Sequence, residues 1–158
     1  MHSEAAAVPK AEPSSPRNRV QGPVYWTVLT LGVLGLLMAI NQTFTLRLFG
    51  FTPLGNSFLY YLIGLFLAVA FLIYPARKAD AIRTPWYDWV LGAAAIGCAV
   101  FLGYHGLSII EEGWDFSAPV EATVVSAVLL VLIIEGVRRC GGTPLLVGVL
   151  LFGAYPIF

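Results

Sequence analysis

Apolar residues fall in five long blocks that short polar segments separate. Each block is close to the roughly 20 residues that an α-helix needs to cross the hydrocarbon of a bilayer. None shows the ten-residue alternation of outer-membrane barrel strands, and only helices and closed barrels satisfy their backbone groups in lipid. The pattern therefore predicts an all-α fold, a polytopic transmembrane helical bundle of about five membrane helices, over 24–41, 57–75, 88–108, 118–137 and 143–158.

Composition excludes two broad classes of protein. The chain of 158 residues is 58% hydrophobic and 11% charged, whereas a soluble domain carries about 25% charged residues. A soluble globular domain is therefore excluded. The formal net charge of zero provides no basic excess for a nucleic acid to neutralise, so nucleic-acid binding is excluded too. The first predicted partner is the lipid bilayer.

Residues 1–23 are rich in proline, serine and alanine and have no periodic apolar face. This composition predicts a disordered cytoplasmic tail. A secretory signal has an apolar core of roughly 7–15 residues followed by a cleavage site. The apolar stretch here runs on from Val24 through Ile40, so we expect the first span to be retained.

The lysine and arginine residues are distributed asymmetrically between the two sides of a five-helix bundle. Eight of the nine fall on one side, and an excess of positive charge marks the cytoplasmic face. The sequence thus predicts a multi-pass protein of a bacterial-type inner membrane with its N-terminus in the cytoplasm. The eight residues are Lys10, Arg17, Arg19, Arg77, Lys78, Arg83, Arg138 and Arg139, and the ninth is Arg47.

The third predicted helix has an aromatic end and a strip of small residues. Trp86 and Trp89 are typical of anchors at the membrane–water interface, and a specific docking role is the alternative. Ala95, Ala99 and Gly103 follow one another at four-residue spacing, which gives a smooth strip where another helix can approach closely. We interpret the strip as a helix-packing face, with a role in substrate passage as the alternative.

Two carboxylates lie near the ends of the fourth predicted helix. Glu121 and Glu135 are about 21 Å apart along a helix, less than the hydrocarbon thickness of about 30 Å, so both cannot lie fully outside it. Arg138 and Arg139 follow Glu135 at the spacing that favours ion pairs, which predicts a charge cluster at the inner end. Glu121 lies in the first turn, where the positive helix end favours a carboxylate. Cation binding by Glu121 in a cavity is the alternative.

No residue pattern predicts catalysis. His105 and the acidic residues after it match no metal or proton-relay motif, so we interpret them as an interfacial histidine beside a solvated loop. Cys98 and Cys140 are far apart and suggest no disulfide. No serine or glycine lies in a nucleophile or phosphate-loop context. We predict no enzyme and no catalytic, cofactor-binding or metal-binding residue, and we assign no substrate-binding residue. A small membrane enzyme that uses His105 is the least favoured alternative.

Several motifs mark the ends of the predicted helices. The second helix closes with YPARK at 74–78, the third opens with WYDW at 86–89, an acidic outer loop follows, and the fourth ends with EGVRR at 135–139. Together, over residues 25 to 158, they resemble the fused permease of the TRAP (tripartite ATP-independent periplasmic) transporters, of the TAXI-associated type. The resemblance is to the amino-terminal, small-subunit-like region of that permease.

The resemblance implies a four-helix small-permease-like region over 24–139 and, over 140–158, the first helix of a large-permease region that is truncated. It implies a component of a secondary transporter that imports a small organic solute by symport, with the coupling ion, sodium, bound elsewhere in the complete permease. The implied partners are the large permease region or subunit and a periplasmic solute-binding protein.

Two hypotheses about function follow from these observations. Alternating-access transporters hold polar sites near mid-membrane, and no such group of residues occurs here, so we expect a permease component that acts as a scaffold without the substrate site. The alternative is a non-transporting membrane adaptor or assembly protein. It would bind another membrane protein through the face formed by Ala95, Ala99 and Gly103.

Overall fold

A computed structural model describes residues 20–46, 55–77 and 84–154. These residues form six helical segments and no strand, so the predicted all-α fold is confirmed. The segments are α1 Pro23–Phe44, α2 Gly55–Ile73, α3 Trp86–Tyr104, α4 Gly106–Glu111, α5 Trp114–Ser117 and α6 Val120–Ala154.

Within the described ranges, four helices are long and apolar enough to cross a membrane: α1, α2, α3 and α6. Many of their large apolar side chains are exposed on the isolated chain, Leu36, Phe66 and Val131 among them. Apolar surface spread over spanning helices is what a lipid environment requires, because lipid solvates it as well as a protein core would. The chain is a multi-pass membrane protein.

The first three spans begin and end where local chemistry dictates. Pro23 occupies the first turn of α1, where its missing N–H would have had no partner in the helix. The N–H of Leu46 donates to the carbonyl of Asn41 at 3.1 Å and closes the last turn of α1. The extended backbone of Pro85 precedes α3. These spans agree with the predicted ones to within a few residues, except that α3 ends at Tyr104 and α4 follows as a separate segment.

The last helix covers both the fourth and the fifth predicted helices. Its 35 residues would measure about 50 Å if straight, far more than the hydrocarbon thickness. The helix is interrupted at Gly142, which has φ 67° and ψ −170°, a conformation open essentially to glycine alone. The part that precedes this break, 120–141, is about 33 Å long and suffices to cross the bilayer.

Small side chains allow α2 and α3 to pack closely along their length. Ala68, Ala95 and Ala99 are buried between them, and Phe71 and Leu132 extend the core to α6. The first helix packs on α2, and α6 packs on both α2 and α3. The spanning helices therefore form one bundle with α2 and α3 at its centre.

Part of the predicted organisation lies outside the described residues. This applies to 1–19 of the predicted tail and to six of the nine cations used to predict the orientation. The tail was predicted to extend to residue 23, but Pro23 already belongs to α1. The six cations are Lys10, Arg17, Arg19, Arg47, Lys78 and Arg83.

Candidate functional site

Two oppositely charged side chains meet in the interior where α3 begins. Arg139 of α6 donates from Nη1 to Oδ1 of Asp88 at 2.7 Å. The two side chains are 3% and 0% exposed, respectively. A charge so far from water is stable only when it is paired and hydrogen-bonded. This ion pair therefore fixes the part of α6 just before the Gly142 break against the first turn of α3.

Glu135 extends this ion pair toward the surface. Arg139 donates from Nε to Glu135 at 2.8 Å, and Arg138 donates from Nε and Nη2 to the two oxygens of the same carboxylate, each at 2.7 Å. Such two-pronged contacts hold the guanidinium plane in a fixed orientation. We call Asp88, Glu135, Arg138 and Arg139 the charge cluster. It runs from the buried Asp88 to the half-exposed Arg138.

An aromatic ring ties the charge cluster to the second helix. The guanidinium carbon of Arg139 lies 4.9 Å from the centre of the Phe71 ring, and Phe71 is fully buried. A guanidinium group over an aromatic face gains electrostatic attraction that is larger where water is excluded. One arginine thus contacts α2 and α3 while belonging to α6.

Helical spacing predicts that Glu135, Arg138 and Arg139 lie together, but it does not connect them to Asp88. The residues around Asp88 have the pattern of an aromatic belt, and 51 residues separate Asp88 from Arg139. One signal was available, because Asp88 and the arginine pair were predicted on the same side of the membrane. Among the other candidates at this end, Trp86 is 76% exposed and Trp89 is also exposed, as is Arg77.

The predicted packing strip lies against α2 of the same chain. Ala95, Ala99 and Gly103 are buried. Any Cβ added to Gly64 would collide with Ala99, and one added to Gly103 would lie 2.5 Å from the Tyr61 ring. This face is therefore covered within the chain. The hypothesis that this face binds another membrane protein is wrong, because α2 of the same chain already covers the face.

The segment that joins α3 to α6 is a folded element outside the long helices. We call residues 105–119 the helical connector, since they include α4 and α5. The His105 ring stacks on Trp114 with centres 5.6 Å apart, and its Nδ1 lies 3.0 Å from the Phe101 carbonyl oxygen. Trp114 donates from Nε1 to Glu112 at 2.9 Å. His105 thus has a structural role in holding the connector against the end of α3.

The remaining acidic candidates are exposed at the end of the bundle that carries the helical connector. Glu111 and Glu112 are exposed on the connector, and Glu121 is exposed in the first turn of α6. No group of three or more potential metal ligands occurs in the part of the chain that the structure describes. Cys98 and Cys140 are both free thiols.

The described residues of the bundle border an apolar groove and a polar cavity. An apolar groove of about 450 Å³ lies between α1, α2 and α3, bordered by Leu37, Tyr61 and Ala99 among others. A polar cavity of about 480 Å³ adjoins the charge cluster. Its walls are Ala76, Arg77, Tyr87, Glu135 and Arg138.

The fold and the charge cluster define a class, a helical multi-pass membrane protein whose spans are fixed to one another by a buried ion pair. Residues 58–140 match the model of the VcrB family, whose description is chloroethene reductive dehalogenase membrane anchor protein. The match covers just over half of the chain. The chain therefore belongs to this family. It extends from α2 through the helical connector to the charge cluster. Neither the comparison with curated proteins nor that with solved structures finds a match.

The family overturns the resemblance to TRAP transporters and the transport function it implied. The motifs that suggested it, at 74–78, 86–89 and 135–139, all lie inside the region that matches the anchor family. They consist of aromatic residues and arginines at helix ends, which any multi-pass protein uses at the membrane interface. The resemblance therefore reflected a requirement of the bilayer. A permease, its symport and its solute-binding partner are not supported, and the adaptor hypothesis agrees better with the family.

Proposed function

We propose that this chain is a non-catalytic membrane anchor that holds a reductive dehalogenase subunit at the bilayer. The observation that carries the proposal is the family match over residues 58–140, since that region contains the charge cluster, two complete spans and the helical connector. An anchor needs retention in lipid, a fixed arrangement of helices and a surface that a partner can reach. Each requirement corresponds to a feature of the described residues.

The charge cluster supports the second requirement. Two helices that pack only through apolar contacts in lipid can slide, because lipid tails contact their side chains as favourably as a neighbouring helix does. The Asp88–Arg139 ion pair and the Arg139–Phe71 contact resist sliding, since moving either helix would leave a charge without its partner in a water-poor interior. The connector is then held at a defined position by the ends of α3 and α6.

The helical connector supports the third requirement. Phe116 is 96% exposed, and Leu107 and Ile110 are exposed as well. Residues 105–121 contain four acidic side chains and no lysine or arginine. An apolar centre with charges of one sign beside it is complementary to a partner surface with an apolar pocket and a basic rim. We propose this surface as the docking site for the dehalogenase subunit.

The orientation forms part of the proposal. Arg77, Arg138 and Arg139 lie at the end of the bundle opposite to the connector, and the excess of cations favours the cytoplasm for that end. We propose that the protein lies in a bacterial-type inner membrane with its N-terminus in the cytoplasm. The connector and the partner would then lie on the outer side.

Co-expression with a dehalogenase subunit of this family tests the proposal. The wild-type chain should bring the subunit into the membrane fraction, and detergent extraction should recover the two together. A subunit that stays soluble in the presence of well-expressed wild-type chain would overturn the anchor function.

Charge-reversal variants test the docking surface separately. Replacing Glu111→Lys and Glu112→Lys together should reduce recovery of the subunit at least tenfold and remove the salt sensitivity of the complex. Arg77→Glu is the control, because it reverses an exposed charge at the other end of the bundle. Equal recovery with the double variant and the wild type would leave the anchor function intact and reject this surface.

A further inference from the structure

The polar cavity beside the charge cluster has the position of a headgroup site. Its walls come from the segment after α2, from the first turn of α3, and from Glu135 and Arg138 of α6. Tyr74, Trp86 and Trp89 are exposed around the same end of the bundle. Exposed tryptophan and tyrosine at the ends of spanning helices mark the level of the lipid headgroups. The cavity therefore opens at the level where phosphate groups of lipids lie.

The charges of the described residues around this cavity do not balance. Asp88 pairs with Arg139, and Glu135 pairs with both Arg138 and Arg139. Arg77 also lines the cavity, and no described residue forms an ion pair with it. At this end the described residues thus carry three guanidinium groups and two carboxylates. One positive charge is left over, facing a space of about 480 Å³.

We propose that this cavity binds the phosphate group of an anionic ligand of the type that a phospholipid headgroup carries. A phosphodiester has one negative charge and matches the excess positive charge. Arginine is suited to phosphate because its planar fork donates two parallel hydrogen bonds, and basic pockets between spanning helices on the cytoplasmic side bind anionic headgroups. Glu135 keeps Arg138 in place through two hydrogen bonds.

The site is independent of the docking surface, since the two lie at opposite ends of the bundle. A bound headgroup would connect the segment after α2 to the charge cluster. This inference goes beyond the anchor function, and it can fail while that function stands.

The test uses the full chain purified in detergent and offered equal amounts of phosphatidylglycerol and phosphatidylcholine, with bound lipid counted by native mass spectrometry. The wild type should retain phosphatidylglycerol preferentially. Arg77→Gln should reduce that preference about fivefold, the factor that corresponds to about 1 kcal/mol for one cation near the headgroups. Arg77→Lys keeps the charge and should retain most of the preference. Arg47→Gln is the matched control, because it removes the same charge on the side predicted to face outward.

A separate arm titrates inorganic phosphate without added lipid. Saturable phosphate binding that Arg77→Gln abolishes, with no preference between the two lipids, would assign the site to free phosphate. Equal retention of both lipids together with no phosphate binding would overturn the proposal. Equal reductions of the lipid preference by Arg77→Gln and Arg47→Gln would also overturn the proposal, because the preference would then depend on overall charge.

Discussion

Asp88 shows how one side chain can determine the arrangement of a membrane bundle. Its carboxylate is buried and pairs with a guanidinium group that is itself almost fully buried. The energetic importance of such a pair lies less in its attraction than in the penalty for breaking it, because the remaining charge has no water to solvate it. Arg139 also pairs with Glu135. Losing Asp88 would therefore remove one of the two carboxylates that balance the charge of Arg139.

We expect Asp88→Ala to destabilise the folded bundle by about 3 kcal/mol, the lower end of the range for removing one partner of a buried ion pair. The variant leaves a buried cation with one carboxylate instead of two. Unfolding by sodium dodecyl sulfate, followed by circular dichroism on purified protein, measures the change. Glu111→Ala is the control, because it removes an exposed carboxylate and should leave the unfolding midpoint unchanged. A wild-type midpoint for Asp88→Ala would show that the pair has no structural role.

At the level of helices, α2 and α3 differ from the other spans in how closely they approach each other. The approach depends on side chains of minimal size where the two backbones are nearest. At Gly64 even a methyl group would meet Ala99 and come within 3.2 Å of the Ala95 carbonyl oxygen. Gly97, on the same stretch of α3, has no neighbouring atom within 4 Å. These two glycines therefore have opposite surroundings.

That contrast gives a matched pair of variants. Gly64→Ala should lower the unfolding free energy by about 1–3 kcal/mol, the usual range for extra volume in a well-packed interior. Gly97→Ala adds the same methyl group on the exposed side and should change stability little. The same detergent titration measures both. Equal midpoints for the two variants would contradict the close packing of α2 on α3.

At the level of the whole molecule, the helical connector and the charge cluster lie at opposite ends of the spanning helices. The cluster has arginines, whereas the connector has only acidic charges. A multi-pass protein places its cationic end in the cytoplasm. Docking of a partner on the connector and binding of a phosphate at the cluster would therefore take place on different sides of the membrane.

Cysteine labelling measures this orientation directly. In a Cys98→Ser and Cys140→Ser background, a cysteine in place of Glu112 should react with a membrane-impermeant maleimide added to intact cells. A cysteine at position 80, between the second and third spans, should react only after the cells are permeabilised. Labelling at position 80 in intact cells would reverse the proposed orientation, and the partner would then have to bind on the cytoplasmic side.

The helical class, the first three spans and the local part of the charge cluster can be predicted from the sequence. These features depend on interactions within about one helical turn or on the thickness of the bilayer, so spacing and composition contain them. Glu135 could be matched with Arg138 and Arg139 because three or four residues along a helix always lie on one face. The motifs at the helix ends suggested the wrong family, because their chemistry is set by the membrane interface that all such proteins share.

Contacts between residues far apart in the sequence depend on how the helices pack. Asp88 and Arg139 are 51 residues apart, and their contact depends on how α3 and α6 are rotated about their axes. Rotation is set by packing of side chains across the bundle, which no local pattern encodes. The same packing turned the strip of Ala95, Ala99 and Gly103 toward α2, and the interruption at Gly142 appeared only in the backbone angles. Local periodicity thus predicts where each helix lies in the sequence. Contacts between helices determine which residues each helix face packs against.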